Sequence, residues 1–258
     1  MKKATQLGLI PANPTVGVEF NRSYKPAKRK LRYYTQAQVD NFLETAKNER
    51  MKLWYLFFVL MFDCGLRLGE DLALRWSRID FHQQTVTIDT NRLYRAEIGA
   101  NSSRNDKDTV TNEIELRLDD PKTEHSSRKI PLTDRAYQAL KEYRTSQGGN
   151  AFKLPNKKAT NDFIFIATSG RTKGFPISSK GAEEAMKRIS KRAGLPHLNV
   201  HGGRHSYGVR LRESGVSMDD IQDLMGHADP STTRIYAEIT PKVKEDAVSK
   251  LNKYLSGK

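Results

Sequence analysis

The chain has 258 residues, of which 37% are hydrophobic and 29% charged, a balance that supports a folded core under a heavily solvated surface and argues against disorder. Lysine and arginine number 44 against 30 acids, and the resulting formal charge of +14 points to a polyanionic partner, nucleic acid before an anionic membrane. The apolar run over 53–62 is about half a bilayer span, the N-terminal residues lack a secretion signal's apolar stretch, and a single cysteine excludes intrachain disulfides and Cys-rich zinc sites, so a cytoplasmic, DNA-associated protein is expected.

Residues 1–33 are strongly basic and carry prolines at 11, 14 and 26, which reads as an extended basic linker. Lys28, Arg29, Lys30 and Arg32 are candidate DNA contacts there, with a merely solvated tail as the alternative. Thr35 and Gln38 form a capping-box signature ahead of Val39, Phe42, Leu43 and Ala46 at helical spacing. A fully apolar helix is predicted over 51–63, with Cys64 as core packing and Gly65 as the break. Gly69-Glu70-Asp71 then opens a short helix through Leu74, its acids at the positive end of the dipole. Over 79–132 the pattern shortens to alternating segments such as 85–88 and 113–116, predicting a small antiparallel sheet divided by a polar hairpin tip at 99–109. Helices return over 134–146, over 179–193 between Ser178 and Gly194, and over 202–214, 218–225 and 231–238. A last amphipathic helix over 242–255 is entered through Thr240-Pro241, with Val243, Ala247, Leu251, Tyr254 and Leu255 as its apolar stripe.

Four separated motifs carry chemistry together: Gly65-Leu66-Arg67-Leu68-Gly69-Glu70, Pro121-Lys122-Thr123, His201-Gly202-Gly203-Arg204-His205, and Leu224-Met225-Gly226-His227 with Tyr236 nine residues on. Their order and spacing over about residues 35 to 240 resemble the tyrosine recombinases, the phage and conjugative-transposon integrases. The resemblance implies Arg67 and Arg204 as phosphate-clamping arginines, Lys122 as the hairpin lysine, His201 and His227 as the two histidines, and Tyr236 as the nucleophile. Glu70 and His205 are supporting residues, Glu70 offsetting the helix dipole or orienting an arginine and His205 packing against or bracing its helix. The Gly202-Gly203 pair departs from the larger apolar residue usual before the second arginine, and lowers helix propensity by about 1 kcal/mol per glycine.

These residue types suit attack on a phosphodiester. Guanidinium groups offer forked donors to the non-bridging oxygens, whose charge grows in the transition state. Tyrosine attack conserves the phosphoester bond as a phosphotyrosyl enzyme, so neither ATP nor any other cofactor is needed, and the Lys122 ammonium is a candidate donor to the departing 5′-oxygen. His201 and Arg204 share a face if their turn is helical. A metal site at His197, His201 and His205 is disfavoured by Pro196, the glycine pair, and the cationic Arg204.

The expected architecture is α+β: a mostly helical tyrosine-recombinase catalytic domain over 34–240 with a small antiparallel β-sheet. Residues 1–33 are read as a linker or remnant of an N-terminal core-binding domain, and 241–258 as a C-terminal helix that docks on a neighbouring protomer or packs in cis. The function implied is site-specific recombination of a mobile element, with double-stranded DNA attachment sites as partner, a tetramer on DNA, and accessory DNA-bending proteins. The alternatives are a type IB topoisomerase-like enzyme and a noncatalytic DNA-binding relative.

Overall fold

The computed structural model describes residues 2–17, 31–89, 91–94, 116–119, 127–146, 162–167, 176–237 and 241–256. The chain divides into two units, Met1–Lys30 and Leu31–Lys258. In the first, helix α1 (Lys2–Gln6) buries no residue, and Leu7, Leu9 and Val16 are exposed. Lys28, Arg29 and Lys30 lie outside the described residues, and Arg32, in the second unit, is exposed.

In the second unit Thr35 and Gln38 make the reciprocal bonds their spacing predicts. The Gln38 amide donates to Thr35 Oγ1 and the Thr35 amide donates to Gln38 Oε1, which starts helix α2 (Gln36–Lys47) and turns Val39, Phe42, Leu43 and Ala46 inward. Phe42 meets Phe58 and Phe62 edge-on, with ring centroids 5.0 and 5.4 Å apart. Both belong to helix α3 (Leu53–Cys64), whose residues other than Tyr55 are all buried, so this helix is the hub of the core. Cys64 packs in that core, and burial raises its thiol pKa far above the usual range. The one carboxylate on α3, Asp63, is held by Arg135 (2.6 and 2.7 Å) and Arg210 (3.2 Å), which satisfies a buried charge.

Gly65 ends α3 at φ 63°, a left-handed turn in which a Cβ would also strike the Tyr207 ring. Helix α4 (Leu68–Leu72) follows and stops earlier than the pattern predicts. Its exit is captured instead by a neighbouring segment: the Leu74 carbonyl accepts from the Ile164 amide at 3.0 Å, and Arg75 bridges Phe163.

Strands β1 (Ile79–Asp80), β2 (Thr85–Ile88), β3 (Asn91–Tyr94), β4 (Leu116–Asp119) and β5 (Arg128–Pro131) make two small antiparallel sheets, ordered β1-β2-β5 and β3-β4. Val86 faces Ile130 in the first, and the alternation of burial along β2 turns Val86 and Ile88 to the core. The tip at 99–109 and residues 113–115 lie outside the described residues.

Helix α5 (Asp134–Ser146) packs on α3, and α6 (Ser179–Arg192) starts where the Ser178 hydroxyl caps the Gly181 amide. Helix α7 (Val200–Glu213) begins two residues before its predicted start, because Asn199 caps the Gly202 amide at 2.7 Å. The glycine pair does not break it: both glycines are buried, and the space a side chain would take is filled by Leu198 at Gly202 and Met61 at Gly203. Helix α8 (Met218–Met225) matches its expected bounds. The helix expected over 231–238 is instead a turn of α-helix, α9 (Pro230–Thr233), followed by a 3₁₀ turn at Arg234–Tyr236. Asp229 caps the Ser231 amide one position early, and the tighter turn ends with Tyr236 buried against Tyr207, Val209, Ile221 and Met225. Helix α10 (Pro241–Leu255) closes the chain. No helix among the described residues is long and apolar enough to cross a membrane.

Candidate active site

Three helix ends and one helix face meet here. Arg204, on α7, is 2% exposed, and its guanidinium donates to the carbonyls of Gly65 and Met225, at the C-terminal ends of α3 and α8. Those ends carry unsatisfied carbonyls and the negative pole of each dipole, so they hold the cation by direct hydrogen bonds while the nearest carboxylate, Glu70, stays at 3.9 Å. Burial and Arg67 lower the Arg204 pKa to about 9, which leaves it charged at neutral pH. Arg67 caps α4; one guanidinium nitrogen donates to the Gly226 carbonyl and the other to Glu70 Oε1 at 2.7 Å.

Glu70 is 5% exposed and forms a hub. It accepts from the Arg67 backbone amide (2.9 Å) and from two nitrogens of Arg128 (3.0 and 2.8 Å), with Arg204 at 3.9 Å. Burial alone would raise its pKa, but the Arg128 hydrogen bonds and the charges of Arg128, Arg204 and Arg67 outweigh it and draw the carboxyl down to about 2. One carboxylate set among three guanidinium groups leaves an excess of positive charge suited to an anion.

Arg128 was not among the candidates. Besides Glu70, it donates from Nε to the Leu224 carbonyl at 3.1 Å and lies against Gly226, where a Cβ would meet its guanidinium. The signal for it is strand alternation: Arg128 shares the inward face of β5 with Ile130, an unusual place for a cation without a partner.

His227 follows Gly226, which adopts φ 62°, and its Nδ1 shares a 2.8 Å hydrogen bond with the Thr233 hydroxyl. With Nδ1 accepting, Nε2 is left as a donor. Burial and the nearby Arg204, Arg67 and Arg128 push the His227 pKa down to about 4, so it is neutral at physiological pH. Its ring lies parallel to that of Tyr236, centroids 6.4 Å apart. Tyr236 is 1% exposed and presses on the backbone of Gly208, where a Cβ would come within 2.5 Å of its ring. Burial raises its hydroxyl pKa to about 12 against the opposing pull of Arg204, so the phenol keeps its proton until a base takes it.

The turn containing His201 and Arg204 is helical, so the two residues lie on one face of α7. His201 is exposed, and desolvation by its surroundings, with Arg204 and Arg67, lowers its pKa. His205 lies one turn on, half-buried, its Nδ1 2.9 Å from the Tyr236 hydroxyl and its ring edge-on to His201 at 4.5 Å. His197 precedes the helix. Lys122 lies outside the described residues. The structure thus gathers Arg67, Glu70, His201, Arg204, His205, His227 and Tyr236, and adds Arg128.

Residues 32–242 match the phage integrase family, and the chain belongs to that family. A tyrosine recombinase XerC-like protein of Caldanaerobacter subterraneus subsp. tengcongensis is 28% identical over 256 residues, covering 96% of this chain and 62% of that protein. The transposase from transposon Tn916 of Enterococcus faecalis is 26% identical over 227 residues, covering 85% of this chain and 51% of that protein. The chain therefore spans 62% and 51% of the length of these two curated relatives. Among solved structures, the Tn1549 transposon integrase in complex with circular intermediate DNA superposes with a TM-score of 0.69 at 21% identity, over 97% of this chain and 76% of that one. XerA recombinase gives 0.61 at 16% identity, over 84% of this chain and 64% of that one. The fold is the mostly helical integrase catalytic fold with a small antiparallel sheet.

Proposed function

We propose that the protein is a site-specific DNA recombinase that cleaves and rejoins double-stranded DNA through a 3′-phosphotyrosyl intermediate on Tyr236, integrating or excising a mobile element. The observation that carries this reading is the convergence of a buried tyrosine hydroxyl with two arginines, anchored on helix ends, and two neutral histidines. In that arrangement Arg67 and Arg204 hold the non-bridging oxygens, His227 Nε2 donates to one of them, and Glu70 with Arg128 fixes Arg67 in its fork. Lys122 takes the part its resemblance implies, protonating the 5′-oxygen. The phosphotyrosyl bond conserves the energy of the one it replaces, so no nucleotide cofactor enters. The circular intermediate DNA in complex with the Tn1549 integrase supports DNA as the partner.

The test uses nicked duplexes tiled across the DNA flanking the encoding gene, incubated with the chain in the presence of EDTA and run under denaturing conditions. Covalent attachment to a 3′ end is the expected result; retention that denaturant releases would identify a noncatalytic DNA-binding relative instead.

Assembly on DNA, as a tetramer and with any accessory bending protein, belongs to the same reading. Val248, Leu251, Tyr254 and Leu255 of α10 are 54–82% exposed, an apolar face that supports docking on a neighbouring protomer. Truncation after Ile239 is expected to abolish cooperative assembly in gel-shift titrations while leaving the melting temperature of the free protein unchanged. A large drop in that temperature would show that α10 completes its own core.

A further inference from the structure

We propose that residues 31–34 form a strap that positions the nucleophile, Leu31 and Tyr33 closing the cluster that holds the Tyr236 ring and Tyr34 fixing the strap to α7; this rests on the reading of Tyr236 as nucleophile.

Tyr236 is buried outside the main core. It belongs to a smaller cluster with Tyr207 and Val209 of α7 and Ile221 and Met225 of α8, bordered by Leu211, Val216 and Met218. All of these come from one stretch of chain, 207–236. Among the described residues, the only members of the cluster from elsewhere in the chain are Leu31 and Tyr33. Both are half-buried and the Arg32 between them is exposed, the alternation of an extended segment with one face turned inward.

Tyr34 ties this segment down. Its ring lies in the main core, stacked on Phe62 with centroids 6.3 Å apart. Its hydroxyl donates to the Pro196 carbonyl at 2.6 Å and lies 2.9 Å from Ser190 Oγ. Its amide donates to Ser206 Oγ at 2.8 Å, and the Ser206 hydroxyl donates in turn to the Gly202 carbonyl at 3.1 Å. Ser206 is fully buried on α7, two residues after Arg204 and two before Gly208, the residue on whose backbone the Tyr236 ring rests.

The strap therefore joins two bodies of packing. Residue 34 is rooted in the main core and bound to α7, while residues 31 and 33 lie on the nucleophile's cluster. A reacting group must be held within ~0.5 Å of its productive place, and a cluster built from one stretch of chain gains that precision when a second segment braces it from the core. Neither Leu31 nor Tyr33 is among the reacting groups, so their effect on cleavage passes through Tyr236.

Two readouts on the full chain test this, with Leu31→Ala and Tyr33→Ala combined. The first is single-turnover cleavage at saturating concentrations of whichever tiled nicked duplex traps the wild-type chain. The rate is expected to fall by about 10-fold or more at unchanged DNA affinity. It should recover when Leu31→Met is combined with Tyr33→Phe, which keep the apolar bulk. The second is the fluorine NMR resonance of Tyr236 in protein labelled with fluorotyrosine, assigned as the one missing from Tyr236→Phe. In the alanine pair it is expected to move towards the position of an exposed tyrosine, and in the conservative pair to return. Wild-type cleavage by the alanine pair would overturn the proposal, as would slow cleavage with an unmoved Tyr236 resonance. Should the alanine pair melt early, Leu31→Ala alone, a smaller truncation, is read in the same way on both. If the wild-type chain forms no adduct on any duplex, the reading of Tyr236 as nucleophile fails, and the fluorine resonance still decides whether the strap holds that ring.

Discussion

Glu70→Gln is expected to destabilise the protein by about 3 kcal/mol at neutral pH, because it leaves the guanidinium of Arg128 without its counter-charge. Arg128 is only 8% exposed along its side chain and spends both terminal nitrogens on this carboxylate, and a carboxamide, with one acceptor oxygen in place of two, keeps one of the two contacts Glu70 makes to Arg67 and loses the other. A carboxyl drawn from an ordinary 4.5 to about 2 corresponds to the same order of energy, about 3 kcal/mol. The sign follows from the direction of the shift. A depressed acid stabilises the fold fully above its unfolded pKa and loses that contribution as pH falls, so the gap between wild type and Glu70→Gln should be complete above about pH 5 and close towards pH 2. Asp71 works the other way, burial raising its carboxyl well above the usual value, but it is present in both proteins and largely cancels in the difference. Urea denaturation of the two proteins across this range checks it, and a gap that does not change with pH would contradict the account. Cleavage should fall as well, since Arg67, the proposed phosphate clamp, is held less firmly.

Gly208→Ala is expected to reduce cleavage by about 100-fold without replacing any residue that reacts, the cost of a misplaced nucleophile. The added methyl would lie 2.5 Å from Cζ and 2.8 Å from both Cε atoms of Tyr236, so the ring must move off α7 and its hydroxyl away from His205 Nδ1. Helix propensity favours alanine by about 1 kcal/mol, which offsets part of an overpacking cost of about 1–3 kcal/mol, so stability should change little beside activity. Melting curves and single-turnover trapping on the same nicked duplex separate the two effects. Wild-type cleavage by Gly208→Ala would show that Tyr236 does not work from this position.

What the sequence reveals of this arrangement divides by range. The capping box at Thr35 and Gln38 is read correctly because every atom in it lies within one turn. Arg67, His201, Arg204, His227 and Tyr236 are recognisable because their order and spacing form a pattern, and the structure brings them together as the pattern implies. Arg128 escapes notice because its meaning depends on Glu70, 58 residues earlier, and on the Leu224 carbonyl, 96 residues later. The same holds for Gly202 and Gly203, which read locally as a weak helix start. Met61, from another helix, fills the space beside Gly203, and Asn199 supplies the cap. Tyr236 ends a 3₁₀ turn rather than lying within a longer helix because its burial and the cap at Asp229 override a weak local preference.

The central claim is that the Tyr236 oxygen becomes bonded to a DNA 3′-phosphate. Tyr236→Phe keeps the ring that packs between His227 and Gly208 and removes only the hydroxyl, so fold and DNA affinity should stay near wild type. On the duplex that traps the wild-type chain, digestion and mass spectrometry of the adduct should place the nucleotide on the peptide containing Tyr236, and the phenylalanine variant should yield no adduct at all. Phosphotyrosyl product from that variant, or a nucleotide mapped to any other residue, would contradict the account.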